Sequence, residues 1–331
     1  MKAFITGGGG FIGYALACEL VKRGFKVTSF SRNDYPSLQE IGINTKKGDL
    51  SDANSVLKAC ENMDIIFHVA AKAGVSGHYR DYFRTNVTGT SNIIQACKIN
   101  KIKYLVYTSS ASVVFDGSDI EGSDESLPYP AFPLSYYTGT KALAEELILK
   151  ANSPALRTLA LRPHLVYGPG DNHLFPRIIS RAKTGKLRRI GNCINKVDVT
   201  YIDNVVMAHI NAARAMINNP SVTGEAYFIT NGEPVLLWGF LDMILQASGL
   251  EPLKKRVPVR TAIMIAHMSE AFQKIFLNDQ ETLTPFLVSE LTSSHWFDIS
   301  KARRLLNYNP EISNIEGLKR MAEHINYFNK N

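Results

Sequence analysis

Two segments of the chain carry residues whose types and spacing fit acid–base chemistry. Tyr137 and Lys141 are four residues apart, which places both on one face of a helix. A cation held beside a phenol lowers its pKa, so we expect Tyr137 to exchange a proton near neutral pH. Ser109 and Ser110 follow an apolar strand, at the carboxyl end where parallel sheets bind ligands. A hydroxyl and a phenol placed in this way predict a site that acts on one substrate oxygen.

A glycine-rich turn lies between the first predicted strand and the first predicted helix. It fits G-x-G-x-x-G at Gly8, Gly10 and Gly13, or G-x-x-G-x-x-G at Gly7, Gly10 and Gly13. A phosphate group needs a tight turn, a close backbone approach and a helix N-terminus, and this segment offers all three. The turn therefore predicts a dinucleotide-binding site.

The end of the second predicted strand bears on the choice between NAD and NADP. Dinucleotide sites for NAD usually place an acid there to bind the ribose hydroxyls, whereas an arginine accommodates a 2′-phosphate. Here the strand ends in Ser31 and Arg32, with no acid before Asp34. The guanidinium of Arg32 can donate two parallel hydrogen bonds to a phosphate, and the hydroxyl of Ser31 can donate another. The pattern favours NADP(H), with a solvated surface role for Arg32 as the alternative.

Alternating strand and helix patterns must position these groups. Apolar strands are predicted at 2–6, 26–30, 64–69, 104–108 and 158–161, and helices at 12–23, 92–98 and 135–150. Such strands between amphipathic helices are typical of an α/β fold with a doubly wound parallel sheet, the Rossmann fold. The regular alternation of strand and helix patterns does not continue in the second half of the chain. We therefore predict a dinucleotide-binding domain at 1–165, to which 195–231 return, and a smaller α+β substrate domain at 166–194 and 232–331.

Composition excludes several classes of protein. The 331 residues carry a net charge of +7, with 45% hydrophobic and 20% charged residues, as in ordinary folded proteins. No run of five basic residues points to nucleic acid. Four scattered cysteines without a C-x-x-C pair predict neither a metal site nor a disulfide framework. Without a leader pattern or an apolar run of about 18 residues, we expect a cytoplasmic protein without a transmembrane span.

With these motifs the chain resembles the extended short-chain dehydrogenase/reductases over nearly its whole length. The glycine turn matches their register at Gly7, Gly10 and Gly13. The resemblance implies that Ser110, Tyr137 and Lys141 form the catalytic set, with Ser109 as the alternative serine. Asn86 resembles the family's structural asparagine. The resemblance, together with the strand-end residues above, assigns these residues to NADP(H) binding: Gly7, Gly10, Phe11, Ile12, Gly13, Ser31, Arg32, Asp49, Leu50, Ala70, Ala71, Lys72, Thr108, Pro163 and Leu165.

The second half of the chain narrows the resemblance. Segments 162–171, 201–209 and 226–234 look like the 3β-hydroxysteroid dehydrogenase/isomerase branch. Segments 168–174, 195–198 and 294–297 are similar to the bacterial 2-alkyl-3-oxoalkanoate reductases of long-chain olefin biosynthesis. This implies NADP-dependent interconversion of a 2-alkyl-3-oxoalkanoic acid and its 3-hydroxy acid. The alternatives are a hydroxysteroid or sterol dehydrogenase, a nucleotide-sugar epimerase or dehydratase, and an NADP-binding protein without turnover.

The substrate side of the site is less marked in the sequence. His164, His173 and Arg177 are candidates for substrate contact, because they lie on the predicted nicotinamide side or in a basic helix. The apolar helical stretch 261–277 fits a core or dimer helix, a lid, or a helix on a membrane surface. The resemblance also implies a homodimer. A complex with other olefin-pathway proteins is compatible with it.

Overall fold

The computed structural model describes residues 1–74, 77–171, 174–276 and 283–330. Its strands are β1 Lys2–Thr6, β2 Lys26–Ser31, β3 Asn44–Lys47, β4 Ile65–His68, β5 Tyr104–Thr108, β6 Ile120–Ser123, β7 Arg157–Pro163, β8 Val166–Tyr167, β9 Arg189–Ile190, β10 Lys196–Val197, β11 Thr200–Tyr201, β12 Ala226–Ile229, β13 Val235–Leu236, β14 Arg256–Val257 and β15 His295–Phe297. Its helices are α1 Phe11–Lys22, α2 Pro36–Glu40, α3 Ala53–Ala59, α4 Tyr79–Tyr82, α5 Gly89–Ile99, α6 Tyr136–Lys150, α7 Leu174–Lys183, α8 Ile202–Asn218, α9 Leu237–Ala247, α10 Val259–Phe276, α11 Pro285–Thr292, α12 Ser300–Leu306 and α13 Asn314–Lys330.

Seven of the described strands form one parallel sheet, in the order β12-β7-β5-β4-β1-β2-β3. The chain runs outward from β1 in one direction through β2 and β3, and then returns to β4 on the other side. Ligands of such sheets bind where the strand order reverses, outside the carboxyl ends of the strands. The predicted doubly wound α/β fold is confirmed, and its switch point lies between β1 and β4.

The central strands of this sheet, β1, β4 and β5, are largely apolar on both faces. Phe4 points into one buried cluster, and its neighbours Ala3 and Ile5 point into the other. The first cluster receives side chains of α3, α5 and α6, and the second receives those of α1 and α8. Because side chains alternate along a strand, only a nearly continuous apolar strand can fill both layers.

The helix that carries Tyr137 has a well-defined start. Ser135 is the N-cap of α6, and its hydroxyl accepts a hydrogen bond from the backbone N–H of Thr138. The hydroxyl of Thr138 accepts one from the backbone N–H of Ser135, which completes a capping box. This cap fixes the first turn of α6, and with it the position of Tyr137 at the second residue of the helix.

A smaller sheet, in the order β13-β10-β15-β6, is built largely from the second half of the chain. Asp198 ties it together, since its carboxylate accepts a hydrogen bond of 2.9 Å from the backbone N–H of Phe297. Strand β12 joins the main sheet as its edge beside β7. The proposed domain limits at 165 and 231 remain predictions. Across the described ranges, no helix has the length and apolarity needed to cross a bilayer.

Candidate active site

Ser110 and Tyr137 meet beyond the carboxyl end of β5. The hydroxyl of Ser110 acts on the phenol of Tyr137 and lowers its pKa, and it lies 2.8 Å from the hydroxyl of Ser112. In contrast, the hydroxyl of Ser109 is buried and has no hydrogen-bond partner among the described residues. Of the two serines that the sequence left open, Ser110 is therefore the one that faces the phenol.

Lys141 lies one helical turn after Tyr137 and is buried. Its Nζ donates a hydrogen bond of 2.6 Å to the backbone carbonyl of Thr108 and lies 4.1 Å from the centre of the Tyr107 ring. Burial lowers the pKa of Lys141 to about 7, although the nearby carboxylate of Glu145 acts in the opposite direction. The lysine therefore changes its charge near neutral pH.

The pKa of Tyr137 is shifted in the direction opposite to our prediction. Loss of contact with water raises it, the hydrogen bond from Ser110 lowers it, and the charge of Glu290 raises it again. Lys141 does not offset this, because its Nζ is held by the carbonyl of Thr108 and burial favours its neutral form. The structure thus presents Tyr137 as a protonated phenol, ready to donate.

Arg162 and Glu145 form a buried ion pair, and the charge of Glu145 acts on Lys141. Glu145 accepts hydrogen bonds of 3.0 and 2.6 Å from Nε and Nη2 of Arg162, and one of 2.6 Å from the hydroxyl of Tyr129. Sequence reasoning missed this pair. The available signal was the spacing of Glu145, which follows Lys141 by four residues on the same helix. Because Arg162 is in β7, the pair fixes α6 against the sheet.

The glycine turn leaves room that side chains would fill. Gly7 has a φ of +74°, which favours glycine, and a Cβ there would lie 2.9 Å from the Cα of Ala70. A Cβ on Gly13 would overlap the carbonyl oxygen of Gly7. Gly10 is the N-cap of α1 and offers no side chain to its free N–H groups. The turn and helix N-terminus therefore have the form that binds a phosphate.

The loop after β4 is hydrogen-bonded both to the residue before this turn and, through Asn86, to α6, the helix that carries Tyr137. The backbone N–H of Ala70 donates to the hydroxyl of Thr6 at 3.0 Å. Asn86 accepts a hydrogen bond of 2.7 Å from the N–H of Lys72 and donates to the hydroxyl of Thr140 at 3.0 Å. Asn86 thus holds the predicted cofactor loop against α6, as the structural role implied by the resemblance requires.

The remaining predicted cofactor residues surround the same edge of the sheet. The carboxylate of Asp49 accepts hydrogen bonds from the backbone N–H and the hydroxyl of Ser51, and one of 2.7 Å from the guanidinium of Arg84. The hydroxyl of Ser31 donates to the carbonyl of Asn33, and the exposed Arg32 follows directly. Leu50 and Pro163 are buried, Phe11 and Ile12 begin α1, and Ala71 lies in the β4 loop. All of them lie at or just after the carboxyl ends of strands of the main sheet, the edge at which the switch point between β1 and β4 lies.

A cavity of about 370 Å³ opens beside this edge. Its size falls within the range of small-molecule sites. Most of its wall is apolar, with Arg177, Glu290 and His295 among its polar members. Leu165, which follows β7 with a φ of +36°, lines it as well. The cavity therefore suits a largely apolar ligand with a polar group.

His164 is part of a buried histidine pair and does not line this cavity. His295 donates from Nε2 to the backbone carbonyl of Glu290 at 2.8 Å, since a carbonyl can only accept. Burial lowers the pKa values of both histidines, so His295 accepts at Nδ1 the hydrogen bond that His164 donates from Nε2, at 2.7 Å. Sequence reasoning could not pair residues 131 positions apart.

The other substrate candidates have different outcomes. Arg177 lines the cavity, whereas His173 lies outside the described residues. In α10, Ala262 and Ile265 line the cavity, and Met268 is exposed. The predicted stretch 261–277 therefore forms a cavity wall over its first turns, and Leu277 is outside the described part of the chain.

Comparison with known proteins places this chain in a family. The model of the 3-beta hydroxysteroid dehydrogenase/isomerase family matches residues 4–259. The chain belongs to this family. It is 44% identical over 329 residues to a 2-alkyl-3-oxoalkanoate reductase of Shewanella oneidensis, covering 96% of this chain and 85% of that protein. It is 34% identical over 338 residues to the decarboxylating sterol-4-alpha-carboxylate 3-dehydrogenase of Mus musculus, covering 99% and 92%.

Solved structures agree on the fold. A UDP-glucuronic acid 4-epimerase of Bacillus cereus, solved in complex with NAD, superposes with a TM-score of 0.76 at 24% identity and covers 99% of both chains. At this identity the likeness concerns the fold alone. The resemblance to the extended short-chain dehydrogenase/reductases is confirmed, and the protein is an oxidoreductase of the 3-beta hydroxysteroid dehydrogenase/isomerase family that acts on a CH–OH group.

Proposed function

We propose that the protein interconverts a 2-alkyl-3-oxoalkanoic acid and its 2-alkyl-3-hydroxyalkanoic acid with NADP(H). The observation that carries this is the placement of Ser110 beside Tyr137 at the carboxyl edge of the sheet, together with a mainly apolar cavity. Two relatives named 2-alkyl-3-oxoalkanoate reductase, at 44% and 42% identity, support the substrate class. The apolar wall suits the alkyl chains of such an acid.

In the reducing direction Tyr137 is the general acid. A bound nicotinamide supplies the hydride to the carbonyl carbon of the substrate. The phenol of Tyr137 gives its proton to the oxygen that becomes an alkoxide, and Ser110 donates a hydrogen bond to the same oxygen. The raised pKa of Tyr137 keeps the proton on the phenol until that stronger base forms. Lys141 would hold the ribose of a bound nicotinamide cofactor, and it adds positive charge beside the phenol when it is protonated.

The residues at the switch point fit a dinucleotide. Gly7 and Gly13 leave the space that a pyrophosphate requires, and α1 presents its uncapped N-terminus. Arg32 is exposed at the end of β2 and supports a preference for the 2′-phosphate of NADP(H). The homodimer and the cytoplasmic location remain part of this proposal, and the sequence alone supports them.

The test is the oxidation of a synthetic 2-alkyl-3-hydroxyalkanoic acid, followed by nicotinamide absorbance with NADP+ and with NAD+. Tyr137→Phe removes the proton-transferring hydroxyl, so we expect turnover to fall by about 100-fold or more with cofactor affinity nearly unchanged. The neighbouring and exposed Tyr136 supplies the control, Tyr136→Phe, which should retain activity. Substantial turnover by Tyr137→Phe would refute the assignment. Turnover of a sterol substrate in place of the acid would refute the substrate class.

A further inference from the structure

An acidic side chain of the cavity wall acts on the catalytic tyrosine. Glu290 lines the cavity, and its charge acts on the phenol of Tyr137. It is the one acid of α11, in Pro285-Phe-Leu-Val-Ser-Glu-Leu-Thr292, where the other side chains are apolar or hydroxylic. Across the described ranges, no lysine, arginine or histidine forms an ion pair with its carboxylate. The proposed mechanism gives this group no role.

The backbone of Glu290 is held in place from the catalytic side. Its carbonyl accepts the hydrogen bond from His295, which in turn accepts the one from His164, the residue after β7. This chain of two neutral rings connects α11 to the carboxyl end of the main sheet. The position of Glu290 relative to the active site is therefore fixed by a buried network, as a substrate-contacting residue requires.

The proposed substrate has two oxygen-bearing groups close together. In a 3-oxo acid the carboxyl carbon and the carbonyl carbon are separated by a single carbon, so the protein groups that hold their oxygens must be neighbours. Tyr137 and Ser110 take the carbonyl oxygen in the proposed mechanism. Glu290 acts electrostatically on Tyr137 and faces the cavity, so it is placed to meet the acid group.

We propose that Glu290 binds the acid group of the substrate by sharing one proton with it. This inference rests on the proposed function and names the residue that recognises the acid. In the neutral form, Glu290 donates a hydrogen bond to the substrate carboxylate. In the ionised form, two carboxylates face each other and repel, as in other sites where two carboxyl groups share a proton.

Among the titratable groups that the structure describes around this contact, Glu290 is the one whose charge changes near neutral pH. Burial raises its pKa to about 7. Burial keeps His164 and His295 neutral and Tyr137 protonated in the same range. On the cavity side, α7 and the segment before β9 contribute these basic residues to the wall: Arg177, Arg181, Lys186 and Arg188.

The consequence is a pH-dependent KM for acid substrates. The substrate carboxylate is ionised throughout, so binding requires Glu290 to hold the proton. Above its pKa the KM for the hydroxy acid should rise about tenfold per pH unit, with kcat little changed. The methyl ester of the same hydroxy acid has no charge and should show no such rise. Lys141, whose pKa is also about 7, affects turnover of both compounds alike and is thereby separated from Glu290.

The experiment compares Glu290→Gln with the wild type on acid and ester between pH 6 and pH 9. Glutamine is nearly isosteric and donates a hydrogen bond at every pH, so we expect the KM for the acid to become flat. At pH 8.5 it should be at least about tenfold below that of the wild type. Glu290→Asp keeps the titration and should keep the rise. The exposed Glu251 supplies the control, Glu251→Gln, which should behave as the wild type.

Each other outcome is decisive. An unchanged rise of KM in Glu290→Gln, or an equal rise for the ester, would overturn the role of Glu290 and leave the proposed function intact. Wild-type protein that oxidises the ester but not the acid at any pH would overturn the substrate class as well. If Glu290→Gln does not fold, the pH dependence of the KM for the acid in Glu290→Asp is the test. A KM that no longer rises with pH in that variant would contradict the shared proton.

Discussion

Adding a single methyl group at Gly13 should change the stability of the protein little but weaken cofactor binding strongly. It lies in the first turn of α1, where alanine is normally the better helix former by about 1 kcal/mol. A Cβ at Gly13 would lie 2.8 Å from the carbonyl carbon of Gly7 and 3.1 Å from the Cα of Gly8. All of these neighbours are backbone atoms of the glycine turn. The turn must therefore shift to accept the methyl group of Gly13→Ala.

The magnitude follows from two opposing contributions. Helix propensity stabilises the variant by about 1 kcal/mol, and overpacking costs about 1–3 kcal/mol. The turn has little freedom to yield, because the N–H of Gly10 donates to the carbonyl of Gly7 at 2.9 Å. We expect Gly13→Ala to range from neutral to about 2 kcal/mol less stable. For a chain of 331 residues each kcal/mol corresponds to a change in Tm of about 1–2 °C.

Cofactor affinity is the sharper measurement. A displaced turn no longer presents its N–H groups to the pyrophosphate, so the Kd for NADPH, measured by its fluorescence, should rise at least about tenfold. Gly239→Ala is the matched control. Gly239 is also helical, in α9, and its Cβ would meet only Leu236 at an ordinary 3.7 Å. That variant should gain stability and keep its affinity. Equal behaviour of the two variants would refute the reasoning.

Two further predictions concern buried charge. Glu145→Gln leaves Arg162 with an unpaired buried charge, so the free energy of unfolding in urea should fall by about 3–5 kcal/mol. The control Glu146→Gln breaks an exposed pair and should lower it by at most about 1 kcal/mol. Similar losses in both variants would contradict a stabilising role of the buried pair. Burial lowers the pKa of Lys141 from 10.5 to about 7, so the unfolded chain binds more protons between these values. The stability of the wild type relative to Lys141→Met should therefore rise from pH 7 to pH 10, and a constant difference in Tm would contradict it.

The parts of the site that the sequence predicted are local. The glycine turn, the strand before it and the Tyr137 helix each depend on residues within about one helical turn of each other. Phosphate binding at a helix N-terminus and a cation four residues from a phenol need no knowledge of the rest of the fold. The strand and helix pattern was strong enough to predict the parallel sheet, because strands buried on both faces are apolar throughout.

The parts that the sequence did not predict depend on contacts between distant elements. The direction of the pKa shift of Tyr137 is set by its enclosure and by Glu290, which comes from α11, more than 150 positions along the chain. Spacing places Lys141 beside Tyr137, but only the fold shows that the carbonyl of Thr108 holds its Nζ. Glu290 itself is marked by no motif. The weak signal was a single acid in a short, largely apolar segment.

These contacts share one physical consequence, which is that burial favours the neutral form of the central groups. It keeps the proton on Tyr137, draws the pKa of Lys141 down to about 7, and draws that of Glu290 up to about 7. In the proposed reaction, a site of neutral groups binds the oxo substrate without first separating charge. Under the same proposal, charge develops on the substrate oxygen during reduction, and Ser110 and Tyr137 stabilise it there. The ion pair of Glu145 and Arg162 holds α6 against β7, and the charge of Glu145 raises the pKa of Lys141 against the effect of burial.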